Sequence, residues 1–381
     1  MSKSIQRLDW RRNRRSPLIS SAYLNMAERV GFGTPLYSPD NAKVDVVFVH
    51  GLGGHRINTW TSEPTKKIPV ETFWPEELLP KACPTARILS FGYDSRFVKF
   101  FPLSKSNLDK EGTIDEYSTA LYQNLASLRE STKTPADRPI IYVAHSLGGL
   151  VVANAVSRPP GANETAQKLT DNTIGMIFLG TPFAGSDKAS WGEMAAKFVT
   201  LFGVQTKDTD IKDLNERSAR LIDINLDFDT FIKGRDRDRK HGPVEIVCYY
   251  EADPTFIGPV CIGKVVSKES AARLPAIAAL SIPDNHSDMC KFAGEFSSGY
   301  ASVSGQLAQW ITALDKRGEE GEDHAGSTSV RIDGVVNNKG VVTGVIKSLP
   351  GGTTSVTGSA DTTYNFGPLP DEAILKLMGK K

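Results

Sequence analysis

Only four cysteines occur in 381 residues, and no two of them form a Cys-x-x-Cys pair. Cys83, Cys248, Cys261 and Cys290 sit far apart in apolar contexts. A disulfide framework and a thiolate metal site are therefore set aside in favour of reduced core thiols. No apolar run is long enough to span a bilayer as a helix. Charge of one sign is also missing: the formal net charge is +1, which leaves no global electrostatic case for nucleic acid or an anionic membrane. Local basicity exists at the start, in Arg7, Arg11, Arg12, Arg14 and Arg15. No apolar core follows it, so a secretory signal is not expected, and Asp9 and Glu28 weigh against a transit peptide. The expectation is a cytoplasmic, non-secreted chain with a solvated basic arm at 1–39.

What is present is an alternation of apolar runs and helical patterns. Strands are expected at 44–50, 87–93, 139–145, 173–179, 245–250 and 276–280, and helices at 114–128, 147–157 and 305–314. The runs are apolar at nearly every position, as in strands buried on both faces. The expected fold class is α/β, a mostly parallel central sheet with helices on both faces. In such sheets chemistry gathers at the carboxyl ends of the strands, which singles out His50–Gly54, Asp94, Ser146, Thr181–Ser186 and Glu251–Asp253.

One of those ends carries Ala144-His145-Ser146-Leu147-Gly148-Gly149, a strand–turn–helix with a serine at its tip. Small residues at 144, 148 and 149 let the backbone turn sharply and leave Ser146 exposed as a nucleophile, although Ala144 stands where the strict motif has glycine. A serine needs a base, and the base needs an orienting acid. Of the six histidines, His286 lies after the last strand, where that architecture puts the base. His145 adjoins Ser146, and neighbours at an elbow point apart. The acid falls between Ser146 and His286: Glu251 ends its strand, with Asp253 as the alternative and Asp94 and Asp187 as outsiders. Backbone N–H groups of Leu147 and of Leu52, within His50-Gly51-Leu52-Gly53-Gly54-His55, are placed to form an oxyanion hole. That glycine run is not a dinucleotide loop, because Arg56 occupies the third glycine's place. No cofactor and no metal are expected.

The hydrolase domain is expected over 40–316, with a helical cap-like insertion at 184–243. A charged, Gly-rich linker follows at 317–327. The tail at 328–381 is rich in Gly, Val, Thr and Asn. It reads either as short strands that stack with copies of themselves in a cross-β assembly, or as a floppy tail or docked edge hairpin.

These segments together resemble the α/β-hydrolase superfamily. More narrowly, they are similar to the serine-active-site lipase/esterase group that fungi attach to, or encode beside, nucleotide-binding immune-type receptors. Carrying the resemblance are Val47–His55, Thr59-Trp60-Thr61, Trp74-Pro75, Leu78-Leu79-Pro80, Ala86–Asp94, Val143–Val152, Phe178–Pro182 and Asp284–Phe292. The resemblance implies Ser146 as nucleophile and His286 as base, and its Tyr-Glu strand end falls on Tyr250-Glu251. Phe183 replaces a histidine common in relatives, and Asn285 interrupts their Asp-His pair. Two functions are implied. One is a serine hydrolase acting on carboxylic esters, with lipid acyl esters as the substrate class. The other is an effector of a fungal cell-death signalling system, whose tail self-assembles or pairs with a receptor. The apolar stretches at 97–103 and 198–202 suit an acyl pocket or a transient membrane-surface contact, or ordinary core.

Overall fold

Val44–Val49 carries one polar residue in six, so both of its faces need cover, and it forms the buried central strand β1. The computed structural model describes residues 30–64, 69–95, 113–159, 164–183, 193, 196–198, 200–201, 211–271, 277, 279–323, 327–331, 353–357 and 363–366. Beyond β1 come the short pair β2 (Thr61–Ser62) and β3 (Thr72–Phe73), then β4 (Ala86–Phe91), β5 (Ile140–His145), β6 (Thr173–Leu179) and β7 (Glu245–Glu251). A hairpin of β8 (Thr255–Ile257) and β9 (Val260–Gly263) precedes β10 (Ala279–Ile282). The main sheet runs β10–β7–β6–β5–β1–β4, with every pair parallel.

The strand order reverses between β1 and β5. From β1 the chain steps to β4 on one side, then returns to β5 and progresses outward on the other. A crevice opens beyond the carboxyl ends of strands at such a switch point. Here those ends deliver His50 and Ser146.

Helix α1 (Ile114–Ser131) opens on a full capping box between Thr113 and Glu116. Apart from Asn154 and Ser157, helix α2 (Gly148–Ser157) is apolar, and every residue from Gly148 to Val156 is buried. Helix α3 is Glu164–Asp171, and α4 is Ile211–Arg237. Packing against α2, α4 puts Phe228 on Phe178 and Phe183, so the described part of the expected insertion is helical and helps cover the sheet. At the amino end of the sheet Asp45 is fully buried and takes a bidentate contact from Arg87 at 2.9 and 2.7 Å and another from Arg129 at 2.9 Å.

Four expectations are corrected. The arm does not run free to residue 39: Gly31 bonds Gly92, Leu36 bonds Ile88 and Phe32 is buried, because β4 is a sheet edge with unpaired backbone to satisfy. The charged linker is not open chain as far as 323, because helix α5 spans Ser298–Asp323. Arg317, Glu319, Glu320 and Glu322 are good helix formers, and Gly318 and Gly321 at about 1 kcal/mol each do not break it. The chain divides into Met1–Ala308 and Gln309–Lys381, not at 316. Cys83, Cys248 and Cys290 are buried thiols as expected, but Cys261 is exposed on β9, where a two-stranded hairpin has no layer over it. In the second unit the tail contains β11 (Ser327–Arg331), β12 (Thr353–Thr357) and β13 (Thr363–Phe366) in one sheet. The apolar stretch at 97–103 and Asp187 lie outside the described residues.

Candidate active site

Between β5 and α2 the chain turns through Ser146, which adopts φ 54°, a left-handed conformation uncommon for a residue with a Cβ. The Ser146 N–H donates to the Leu179 carbonyl at 2.8 Å, tying the turn to the neighbouring strand. No side chain fits at 148: a Cβ there would lie 2.2 Å from the His50 carbonyl oxygen. Ala144, one position before the turn on β5, is fully buried without strain, so glycine is not required there.

The turn aims the Ser146 hydroxyl at His286, with Oγ 2.9 Å from Nε2. The Nδ1 of the same ring lies 3.3 Å from Oε2 of Glu251, the last residue of β7. The Glu251 Oε1 accepts the Val266 N–H at 2.6 Å. Burial pushes this carboxyl up, but its bonds to His286 and Val266 outweigh that and hold it below the ordinary glutamate value. A charged carboxylate fixes the proton on Nδ1 and leaves Nε2 free to accept from the serine. Asp253 lies elsewhere: it is exposed, and its N–H donates to the Asp284 carbonyl. Asp94 accepts a hydrogen bond from the Tyr117 hydroxyl through its backbone carbonyl.

Two residues that sequence reasoning passed over hold the backbone of His286. His145 Nε2–H donates to the His286 carbonyl at 2.9 Å, and the His286 N–H donates to Thr255 Oγ1 at 3.3 Å. Burial, helped by the neighbouring His286, pushes the His145 imidazole down to about 3, so it is neutral. The partners are 141 and 31 residues apart, a distance over which no local pattern pairs them. Farther along the same loop, the Trp74 indole donates to the Cys290 carbonyl at 2.9 Å, within a cluster of Phe48, Trp60, Trp74, Phe292 and Tyr300.

The His50–Gly54 loop faces the serine. A Cβ on Gly51 would lie 2.6 Å from that of Ser146. The Tyr93 hydroxyl donates to the His50 carbonyl at 2.7 Å, and its ring stacks on the His50 imidazole at 4.4 Å. His50 Nδ1–H donates to the Gly51 carbonyl at 2.9 Å, and burial pushes this imidazole down to about 4. Gly53 and Gly54 spend their N–H groups on Ser95 and Gly51. Among the described residues, the N–H groups of Leu52 and Leu147 have no protein acceptor. Two free donors beside Ser146, one of them at the N-terminus of α2, suit an anionic oxygen. Phe198 is fully buried with its ring 5.6 Å from that of His286. Among the described residues no cluster of His, Cys, Asp or Glu could hold a metal ion.

No family model matches the chain. Among curated proteins it is similar to Protein SERAC1 of Mus musculus, 29% identical over 262 residues that make up 65% of this chain and 36% of that protein. Protein SERAC1 of Homo sapiens is 27% identical over 259 residues, with the same shares. The chain thus spans about a third of the length of the curated relatives it matches. Among solved structures, the lipase BlEst2 of Bacillus licheniformis gives a TM-score of 0.40 at 17% identity, covering 73% of this chain and 96% of that one. A fungal esterase of Rhizomucor miehei gives 0.43 at 13%, covering 73% and 77%. Superpositions as loose as these carry nothing about activity. The strand order, the serine turn and the chain order Ser146, Glu251, His286 are together those of an α/β-hydrolase fold.

Proposed function

We propose that this chain is a serine hydrolase that cleaves carboxylic esters through an acyl-enzyme intermediate. The observation that carries the reading is the continuous relay from Ser146 Oγ through His286 to Glu251, at 2.9 and 3.3 Å, beside two unspent N–H donors. In the first half-reaction His286 Nε2 takes the hydroxyl proton as Ser146 Oγ attacks the ester carbonyl carbon. The Leu52 and Leu147 N–H groups receive the negative charge on the carbonyl oxygen. The intermediate then collapses, and His286 returns the proton to the departing alkoxide. In the second half-reaction a water molecule gives its proton to His286, attacks the acyl carbon and releases the acid with Ser146 restored. Glu251 keeps Nδ1–H oriented and offsets the imidazolium charge.

Lipid acyl esters are the substrate class favoured by the apolar wall that Phe198 sets against His286. A fluorophosphonate reports the nucleophile directly. Wild type is expected to label, and Ser146→Ala to remain unlabelled and lose turnover of p-nitrophenyl butyrate. Failure of the wild type to label, or equal labelling of Ser146→Ala, overturns the reading.

A second reading rests on the sheet of β11, β12 and β13, built from a tail of low charge. In it the tail self-assembles and governs when the hydrolase acts. Removal of 326–381 then abolishes assembly and leaves turnover of a soluble ester intact. Loss of that turnover would place the tail within the catalytic fold instead.

A further inference from the structure

Between the acid and the base, the chain makes the β8–β9 hairpin. From Pro254 to Gly263 it carries no charged side chain. Phe256 is 60% exposed and Val260 57%, and Cys261 is exposed beside them. Phe256 pairs across the hairpin with Cys261, and Ile257 with Val260. Successive pairs point to opposite faces, so the tip is apolar on both sides. Its turn is Gly258-Pro259, and a Cβ at Gly258 would meet nothing within 4 Å. The tip therefore projects into open space.

We infer that this hairpin is a docking surface for a lipid bilayer, entering its interface tip first and bringing Ser146 to esters held there. A protein groove takes one apolar face of a ribbon and leaves the other wet. A tip that is apolar on both faces matches a medium that is apolar all round. Three residues of strand reach about 10 Å, the depth of an interfacial element and far short of a span. Cations stand at its root. Lys264 and Lys268 follow β9, and the Lys197 ammonium holds the Lys264 carbonyl at 2.8 Å. They share that root with the acids Asp253, Glu269 and Asp284, so the charge there is mixed, and the three lysines are the groups that would meet headgroup phosphates.

The hairpin is also wired to the site. At its first residue, Thr255 receives the His286 N–H, and just past its last strand Val266 donates to Glu251. The delivery of substrate rests on the hydrolase reading, whereas the surface contact does not.

The full chain carries its own reporter. Cys261 is the exposed thiol among the described residues, while burial pushes the thiols of Cys83, Cys248 and Cys290 up to about 12. An environment-sensitive dye on Cys261 is expected to shift to the blue with vesicles of phosphatidylcholine and phosphatidylglycerol, and the protein to float with them. The Phe256→Ser/Val260→Ser pair is expected to weaken flotation by about tenfold or more. Its turnover of p-nitrophenyl butyrate stays at the wild-type level, while turnover of a vesicle-held ester falls. Val260→Asp alone serves if the pair does not fold. Unshifted dye, wild-type flotation of these variants, or a shift that follows protein concentration without lipid overturns the inference. Ser146→Ala is expected to float like wild type. A wild type inert on the soluble ester but still floating sinks the hydrolase reading and leaves the surface contact standing.

Discussion

His145 has a base's side chain next to Ser146, yet it is neutral, buried and bonded to a carbonyl. Its work is to hold the main chain of His286, so it is a positioning residue. The discriminating property is one N–H at the Nε2 position. His145→Gln keeps a donor near that place, and His145→Leu removes it. For His145→Leu, kcat on a soluble ester is expected to fall about tenfold to hundredfold with little change in KM, since the His286 ring drifts from the serine. His145→Gln is expected to stay within a few-fold of wild type. Equal losses in the two variants would mean that the site needs only bulk there. At Glu251, the Glu251→Gln change keeps the shape but removes the charge that fixes the Nδ1 proton. Fluorophosphonate labelling is expected to slow by about three to four orders of magnitude, and an unchanged labelling rate would put the orienting acid elsewhere.

Among the elements, the serine turn is the one whose sequence says most. Apolar β5, small residues on both sides of Ser146 and a largely apolar α2 leave one arrangement that buries both elements and puts the serine at the tip of the turn. The boundaries of β1 and β6 were legible for the same reason: each is a short apolar run closed by glycine. The bracing of His286 was not legible, because Thr255 and His145 meet it through backbone atoms that every residue has. Residues 30–36 were equally opaque. They are rich in Gly and Pro with no strand or helix period, and their order comes from an edge strand some fifty residues on. The turn's weak point follows from its packing. In Gly148→Ala the new Cβ meets a backbone carbonyl, which cannot swing aside as a side chain could. The cost is expected to be about 3 kcal/mol or more, comparable to overpacking in a rigid core. A chemical denaturation midpoint within error of wild type would show that the turn relaxes.

For the whole molecule, acid is the stress that reaches the site through burial. His50 and His145 are held down to about 4 and about 3 by desolvation, against an ordinary value of 6.5. In the unfolded chain both take up protons below pH 6.5, whereas the folded chain refuses them until well below that. Between pH 6.5 and about 4 the unfolded state therefore binds more protons, and stability falls as pH falls. At neutral pH the two together hold on the order of 5–8 kcal/mol of pH-dependent stability, a large part of the 5–15 kcal/mol of an ordinary domain. Glu251 shares the preference for the deprotonated form, which for a carboxyl is the charged one, and so the sign of the effect is the same. Its carboxyl is held below 4.5, so its contribution is complete above that pH and fades only at lower pH, after the histidines have acted. The α/β domain is thus expected to unfold cooperatively between about pH 6 and pH 4, with melting temperature dropping steeply across that window and nearly flat from pH 7 to 8. His145→Gln removes one of the two titrating groups and is expected to flatten the slope by about half. A melting temperature constant from pH 8 to pH 4 would show that these imidazoles take up protons in the folded state and that the loops carrying them open to water.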